Sequence, residues 1–257
     1  MTDPTRGVLY PERLPRFTRV FPAPEAAALV AWYWVPEWEL PDGVVSRQPV
    51  LGYPAANLVV EPAGVTLWGP TTRATERVLT GTGWAVGALL RPAALMALSA
   101  TPADLVDTFT TVYEPGLAAD VSAALTHGAD EASARLGEWL IRRVGPPSVE
   151  ALLAGEMVDL LLGDSRVARL EDAAARLAVS VRTLQRLTHR AVGLSPAAII
   201  RRRRLQEAAQ RVRTEPHIPL AEIAIDAGYA DQAHLAADFR AVLGFTASAH
   251  RAASGDT

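Results

Sequence analysis

Leu170-Glu171-Asp172-Ala173-Ala174-Ala175-Arg176-Leu177, then Ala178-Val179, then Ser180-Val181-Arg182-Thr183-Leu184-Gln185-Arg186-Leu187, reads as two short helical patterns separated by a turn. In the first, Leu170, Ala173, Ala174 and Leu177 fall at i, i+3, i+4 and i+7, which makes one apolar face. Ser180 can cap the second helix. There Leu184 and Leu187 point inward, while Arg182, Gln185, Arg186 and His189 stay on the polar side. Two helices joined by so short a turn predict a helix-turn-helix unit.

Toward the carboxy terminus, Gly193-Leu194-Ser195-Pro196 ends that helix and starts another, because serine caps and proline is tolerated in a first turn. This third helix, roughly Pro196 to Val212, contains Arg201-Arg202-Arg203-Arg204. The pattern then recurs: Leu220, Ile223, Ala224 and Ala227 form an apolar face, Gly228 permits the turn, and a polar-faced helix follows from about Asp231 to Leu243. Toward the amino terminus, Ser148 caps a helix running to about Leu162, and Gly145-Pro146-Pro147 breaks the chain ahead of it. The expected domains are therefore residues 1–145 and 148–257.

The first hundred residues hold five of the six tryptophans and many turn formers. The expected strands are Leu29 to Val35, Asn57 to Glu61, Val65 to Trp68, Arg77 to Leu79 and Trp84 to Leu90. Alanine- and leucine-rich helices follow at Ala93 to Ala100, Ala118 to His127 and Glu131 to Val144. The fold class is α+β: a sheet or barrel-like domain with trailing helices, then an all-helical domain of two helix-turn-helix units joined by a linker helix.

With 49% hydrophobic and 21% charged residues in 257, the chain has the balance of a soluble protein. It contains no cysteine, which excludes disulfides, zinc-thiolate sites and thiol nucleophiles. All 25 basic residues are arginine, so lysine Schiff bases and phosphate-loop lysines are excluded too. The histidines fall at no close metal-ligand spacing, and no Gly-x-Ser-x-Gly elbow is present. Neither a metal nor a cofactor is expected. Met1 to Pro11 has no apolar signal core, and the apolar run Ala26 to Val35 is about half the roughly 20 residues of a membrane span. A cytoplasmic protein with no membrane partner is the resulting expectation. The net charge of -3 hides an asymmetry: residues 165–257 carry 14 arginines against 9 acids, and the remainder 11 against 19. A basic half of this kind points to an acidic partner.

The strings Ser180 to Leu187, Val192-Gly193-Leu194-Ser195-Pro196, Arg204-Leu205-Gln206-Glu207-Ala208-Ala209, Leu220-Ala221-Glu222-Ile223-Ala224 and Gly228 to His234 resemble the AraC/XylS family of transcription regulators, over about Arg166 to Arg251. Pro54 to Glu61, Trp68-Gly69-Pro70 and Arg91-Pro92 resemble the domain that precedes this module in one branch of the family. The resemblance implies a transcription factor that binds double-stranded DNA and contacts RNA polymerase, and not an enzyme. The sequence departs from the family pattern at Ala178, where glycine is usual, at Thr188, where an aromatic is usual, and at Ala247, where proline is usual. Alanine in a left-handed turn costs on the order of 1 kcal/mol relative to glycine, which makes the first unit the looser one.

An α-helix fits the major groove, and a helix-turn-helix holds it there through its partner helix. A linker of about 17 residues spans roughly 25 Å, so the reading helices can lie near one DNA turn apart once their own offsets are added. In the first reading helix Arg182 can pair with guanine and Gln185 with adenine, with Val181 and Thr183 near the bases or backbone and Arg186 on a base or phosphate. In the second, Gln232, Ala233, Ala236 and Arg240 face the groove. Ser180, His189, Arg190 and Asp231 are the expected positioning groups. Arg201, Arg202, Arg203 and Arg204 cover more than one helical turn, so at most about two can face one phosphate backbone. The others are expected to be solvated or paired with Glu207 and Asp226. Trp32, Trp34, Trp68 and Trp84 either line an apolar pocket for a small-molecule effector or fill a barrel core. Two alternatives stay open: a DNA-associated enzyme using carboxylates such as Glu37, Glu39 and Glu61, and a module that binds a partner protein without any ligand.

Overall fold

The computed structural model describes residues 16–50, 52–164, 167 and 169–255. Among the described residues the amino-terminal half has nine strands, the last of them after the first helix: β1 (Arg16–Val20), β2 (Val30–Glu39), β3 (Val45–Val50), β4 (Asn57–Glu61), β5 (Gly64–Trp68), β6 (Thr75–Thr80), β7 (Thr82–Trp84), β8 (Val86–Leu90) and β9 (Phe109–Val112). Helices α1 (Pro92–Leu98), α2 (Leu117–Leu125) and α3 (Ala129–Val144) complete the amino-terminal half. The carboxy-terminal half contains α4 (Val149–Gly163), α5 (Leu170–Arg176), α6 (Val181–Val192), α7 (Pro196–Thr214), α8 (Leu220–Asp226), α9 (Gln232–Asp238) and α10 (Ala247–Gly255).

The main sheet is antiparallel in the order β1-β2-β8-β4-β5-β9, with β7 also paired to β2, and β3 and β6 form a separate ribbon. Alternation along the strands sends Tyr33 and Val35, Leu58 and Val60, and Val65 and Leu67 into one core with α1, α2 and α3. Burial pushes the Tyr33 phenol up to about 12. The opposite face is aromatic. One cross-strand rung joins Trp32, Leu89, Asn57, Trp68 and Phe109, and the next joins Arg19, Trp34, Gly87, Val59 and Thr66. Gly87 is required here, because a Cβ would stand 2.0 Å from the Trp34 ring. The β3-β6 ribbon reaches back to this face: Arg77 pairs with Glu61 and lies 5.9 Å over Trp68, and Trp38 donates to the Thr80 carbonyl at 3.2 Å.

The helical half has two cores that share α7. Ile199 and Ile200, near its start, pack with α4, α5 and α6. Leu205, Ala208, Ala209 and Val212 pack with the second unit. The two units repeat a hydrogen-bond pattern: Val179 N donates to Ala174 O at 3.0 Å, as Tyr229 N does to Ala224 O at 2.9 Å. Both turns use positive φ, 51° at Ala178 and 79° at Gly228.

Strands β1, β3 and β9 and helix α10 lie outside the sequence expectations. β3 contains Arg47, Gln48 and Pro49 and lacks apolar alternation, and β9 is only four residues long. The single helix expected from Asp231 to Leu243 ends as α9 at Asp238 and continues as a π-helical turn over Phe239–Leu243. Ala178 confirms the expected strain of an L-residue in the left-handed region. Ala178→Gly is expected to stabilise the chain by about 1 kcal/mol and raise its thermal midpoint by roughly 2–4 °C. An unchanged or lower midpoint in scanning calorimetry would count against strain at this turn.

Candidate nucleic-acid interface

Helix α6 is built to hold a polar stripe outward. Ser180 Oγ accepts from Thr183 N at 3.1 Å and lies 2.9 Å from Thr183 Oγ1, so both side chains serve the helix start. Leu184, Leu187, Ala191 and Val192 are buried, which turns Arg182, Gln185, Arg186 and His189 into solvent on one face at i, i+3, i+4 and i+7. Among the described residues these four side chains have no ion-pair or hydrogen-bond partner. Val181 is half-buried at the same end. Arg190 is exposed, and its guanidinium pairs with Glu150 of α4.

Helix α9 starts at Asp231, whose Oδ1 accepts from His234 N at 2.7 Å. Its carboxylate is therefore a cap. Gln232, Ala233 and Arg240 are exposed and Ala236 is half-buried. Gln232, Ala236 and Arg240 line one shallow groove with Thr246 and Ser248. The His234 ring stands edge-on to Tyr229, 5.2 Å between centroids. This second face carries one arginine against two on α6, so the positive charge is concentrated in the first unit.

In the arginine run two of the four side chains are buried where the sequence reading expects solvated or paired ones. Arg201 meets the buried Asp238 of α9 through Nε at 2.9 and 3.0 Å and through Nη2, and Asp238 also accepts from the Tyr229 hydroxyl at 3.1 Å. That hydrogen bond and charge raise the Arg201 pKa, while burial first and Asp238 second raise that of Tyr229. Arg202 is 6% exposed and donates to the Thr71 carbonyl at 2.7 Å. Arg203 is 1% exposed and donates to the carbonyls of Leu161 at 3.0 Å, Val167 at 2.9 Å, and Asp164, with Glu207 at 3.7 Å. Arg202 and Arg203 cannot reach a phosphate, because their guanidinium groups are enclosed by the protein itself. Arg204 is half-buried, with its guanidinium 3.2 Å from where a Cβ on Gly228 would stand. Asp226 pairs with Arg211 and with none of the four.

Asp238 is the residue that sequence reasoning misses. The signal is present, since it shares the buried register of Leu235 and Phe239, and a carboxylate there needs a cation.

Trp32, Trp34 and Trp68 share the aromatic sheet face, whereas Trp84 lies on the other, packed on the core beneath the helices. The four tryptophans therefore do not line one pocket. Trp34 donates to Asn57 Oδ1 at 3.0 Å, Trp32 packs against Tyr53 at 4.7 Å and lies under the Arg19 guanidinium, and Trp68 packs on Phe109 at 4.5 Å. Glu61 is held by Arg77, on a different strand from Glu37 and Glu39. Among the described residues no three His, Asp or Glu side chains gather as a metal site, and no helix is long and apolar enough to cross a membrane.

Two capped helices with outward polar faces, each set by a tight turn onto a partner helix, define a helix-turn-helix DNA-binding protein. Residues 173–253 match the family of helix-turn-helix domains, and residues 18–110 match a domain of unknown function, DUF6597. The helix-turn-helix domain at residues 173–253 is of the AraC type, the type found in DNA-binding transcription regulators. No curated protein sequence matches it. Two solved structures of ToxT from Vibrio cholerae are similar. An apo alanine variant from strain SCE256 is 9% identical, with 85% of this chain and 96% of that chain covered and a TM-score of 0.46. ToxT from strain O395 is 10% identical, with 94% and 99% covered and a TM-score of 0.44.

Arg203→Met is expected to destabilise the chain by about 3–5 kcal/mol, because carbonyls at the end of α4 lose their buried donor. Urea unfolding measures this. The salt dependence of DNA binding, measured where the variant is folded, should keep its slope. A slope reduced by about one unit would instead mark Arg203 as a phosphate contact.

Proposed function

We propose that this chain is a sequence-specific DNA-binding transcription regulator that reads an asymmetric operator with α6 and α9 and is controlled through its amino-terminal half. One observation carries the reading: Arg182, Gln185, Arg186 and His189 form an exposed stripe on a capped helix, and among the described residues none of them is engaged by the protein itself. Beside a linker helix whose arginines bond to acids and main-chain carbonyls, such a stripe is suited to an outside polyanion. Arg182 and Gln185 read bases, with Val181 and Thr183 at the groove edge, Arg186 and His189 on the backbone and Ser180 fixing the helix start. On α9, Gln232, Ala233 and Ala236 face the bases, and Arg240, in the turn that follows it, faces the backbone.

Division of labour falls between α3 and α4, near residues 145–148. The amino-terminal half is the controlling unit, through a small-molecule effector on the aromatic sheet face at Trp32, Trp34 and Trp68 or through a partner such as RNA polymerase. An effector acts by favouring one placement of the two halves and so altering DNA affinity.

Mapping the genomic fragments bound by the purified chain supplies the operator. On it, Arg182→Ala is expected to weaken binding by about 1–3 kcal/mol at one or two base positions. Equal losses on operator and random duplex would refute base reading by Arg182. Arg186→Ala should weaken both duplexes alike and reduce the salt slope by about one unit.

A further inference from the structure

The seam between the two halves is crossed by residues 69–74, the strap that follows β5, and the strap ends on the second helix-turn-helix unit. Ala74 N donates to Val242 O at 2.7 Å, and Ala74 is the only apolar side chain of the sheet half, among the described residues, that packs against the second core. Val242 lies in the π-helical turn over Phe239–Leu243 that closes the second reading helix. The last carbonyls of a helix have no donor within it, and single π turns are rare and frequent at functional sites. Gly244, at φ 80°, returns its N–H to Arg240 O at 3.2 Å, whereas the carbonyl of Val242 takes its donor from the other half of the chain. Part of the cap of the second reader therefore comes from outside its own unit.

The two units meet the sheet half by different means. The first is held by packing: Met96 and Val106 join its core, and at Gly193, which ends α6, a Cβ would stand 2.8 Å from Ala103 Cα, Pro102 O and Val106 Cγ2. Opening that contact parts close-packed apolar surface. The second unit meets the strap, whose shape is fixed from within the sheet half. Gly69 N donates to Thr108 O and Asp107 N to Pro70 O, both at 3.0 Å, and the Asp107 carboxylate accepts from Thr72 N at 2.6 Å and Thr72 Oγ1 at 2.5 Å. Helix α9 has seven residues against twelve in α6, and so short a helix depends on contacts at its ends.

We propose that the strap is a positioning element for the second reading helix: Ala74, through its hydrogen bond to Val242, holds the turn that carries Arg240, and undocking of the strap leaves the first unit to read DNA alone. Arg240 stands two residues before Val242 in the same turn, exposed, and lines one groove with Gln232 and Ala236. With the strap docked, the three are presented together. With it undocked, the turn frays and Arg240 loses its fixed place. The first unit keeps Arg182, Gln185 and Arg186 in either state, because packed surface holds it. The strap runs directly into Thr75 of β6, and Arg77 of that strand lies over Trp68, so a shift of the ribbon on the aromatic face is passed to Ala74. The sheet half thereby sets how much of the operator is read, two halves or one. This deepens the proposed control through the amino-terminal half and rests on the reading of DNA by α9.

Ala74→Pro in the full chain removes the donor and keeps a small apolar side chain, and Ala74→Ser, which keeps the donor, is its control. On the mapped operator, base-pair substitutions in the half read by α9 are expected to fall in effect from about tenfold each to less than about twofold in Ala74→Pro. The salt slope should fall by about one unit as Arg240 leaves its phosphate. Substitutions in the half read by α6 should keep their full effect. Without DNA, amide hydrogen exchange over residues 232–243 should quicken by about tenfold or more, with residues 181–192 unchanged. Where Ala74→Pro fails to fold, Asp107→Gly, which frees Thr72 and suits the φ of 59° at that position, is expected to give the same pattern. Equal losses in both operator halves, or a folded variant with unchanged exchange and an unchanged base profile, overturn the proposal. A native chain that selects no operator refutes the regulator reading and with it the purpose of the cap, whereas unchanged exchange refutes the cap itself.

Discussion

Three consecutive guanidinium groups on α7 fix the arrangement of the whole molecule. Arg201 reaches α9 through Asp238, Arg202 reaches the strap of the sheet half, and Arg203 binds the carbonyls at and after the end of α4. Successive residues on a helix are about 100° apart, so a run of arginines must point in different directions. The same geometry that forbids the run from facing one phosphate backbone lets it serve as a three-way junction. Arginine suits each arm, since its planar fork meets a carboxylate with two nitrogens and main-chain carbonyls with several. The carbonyls of Leu161 and Asp164 at the end of α4 also carry the negative end of a helix dipole, which a buried cation offsets.

That junction bears directly on reading DNA. A groove-reading side chain is useful only if its helix is held at a fixed angle and distance from the other reading helix. Because Ile199 and Ile200 belong to the first core and Leu205 to Val212 to the second, α7 cannot move relative to either unit without opening a packed interior. The Asp238 contact adds orientation, since α9 itself is only seven residues long and could not hold its angle by packing alone. The two units are not equally well made. The first carries Ala178 in a left-handed turn and Thr188 with a buried, unpartnered hydroxyl. It also carries the denser basic face, so the unit with more arginine on its outward helix is the one whose turn puts an L-residue in the left-handed region.

Much of this is legible in the sequence because local patterns decide it. The 3.6-residue apolar spacing around Leu184 and, in the repeat, around Ile223 reports on its own turn of chain, as do the serine caps at Ser148, Ser180 and Ser195 and the glycine at Gly228. The outward stripe of α6 follows from the same spacing. What escapes depends on distant partners. Nothing near Arg202 or Arg203 says that carbonyls far along the chain will enclose them, so an arginine run reads as surface charge. β3 and β9 are strands because β6 and β5 pair with them, not because of their own alternation. Composition groups Trp84 with the other tryptophans, but the register of β7 on β2 places it on the opposite face.

The aromatic face and the seam are joined by the shortest possible connection. β5 ends at Trp68, and the strap that carries Thr71 and Ala74 begins with the next residue. A ligand that reorders the ring stack of Trp68 on Phe109 therefore acts on chain that is already bonded to α7 and to the second unit. The energies suffice for control. A ligand at a hundred times its dissociation constant favours the docked arrangement by about 2.7 kcal/mol, and coupling between sites of about 1–3 kcal/mol changes affinity by roughly 5- to 150-fold. Coupling is reciprocal, so any ligand that tightens the seam must itself bind differently once DNA has set the spacing of α6 and α9. The linker helix is where those two demands meet, with Arg202 and Arg203 buried against the strap and the end of α4.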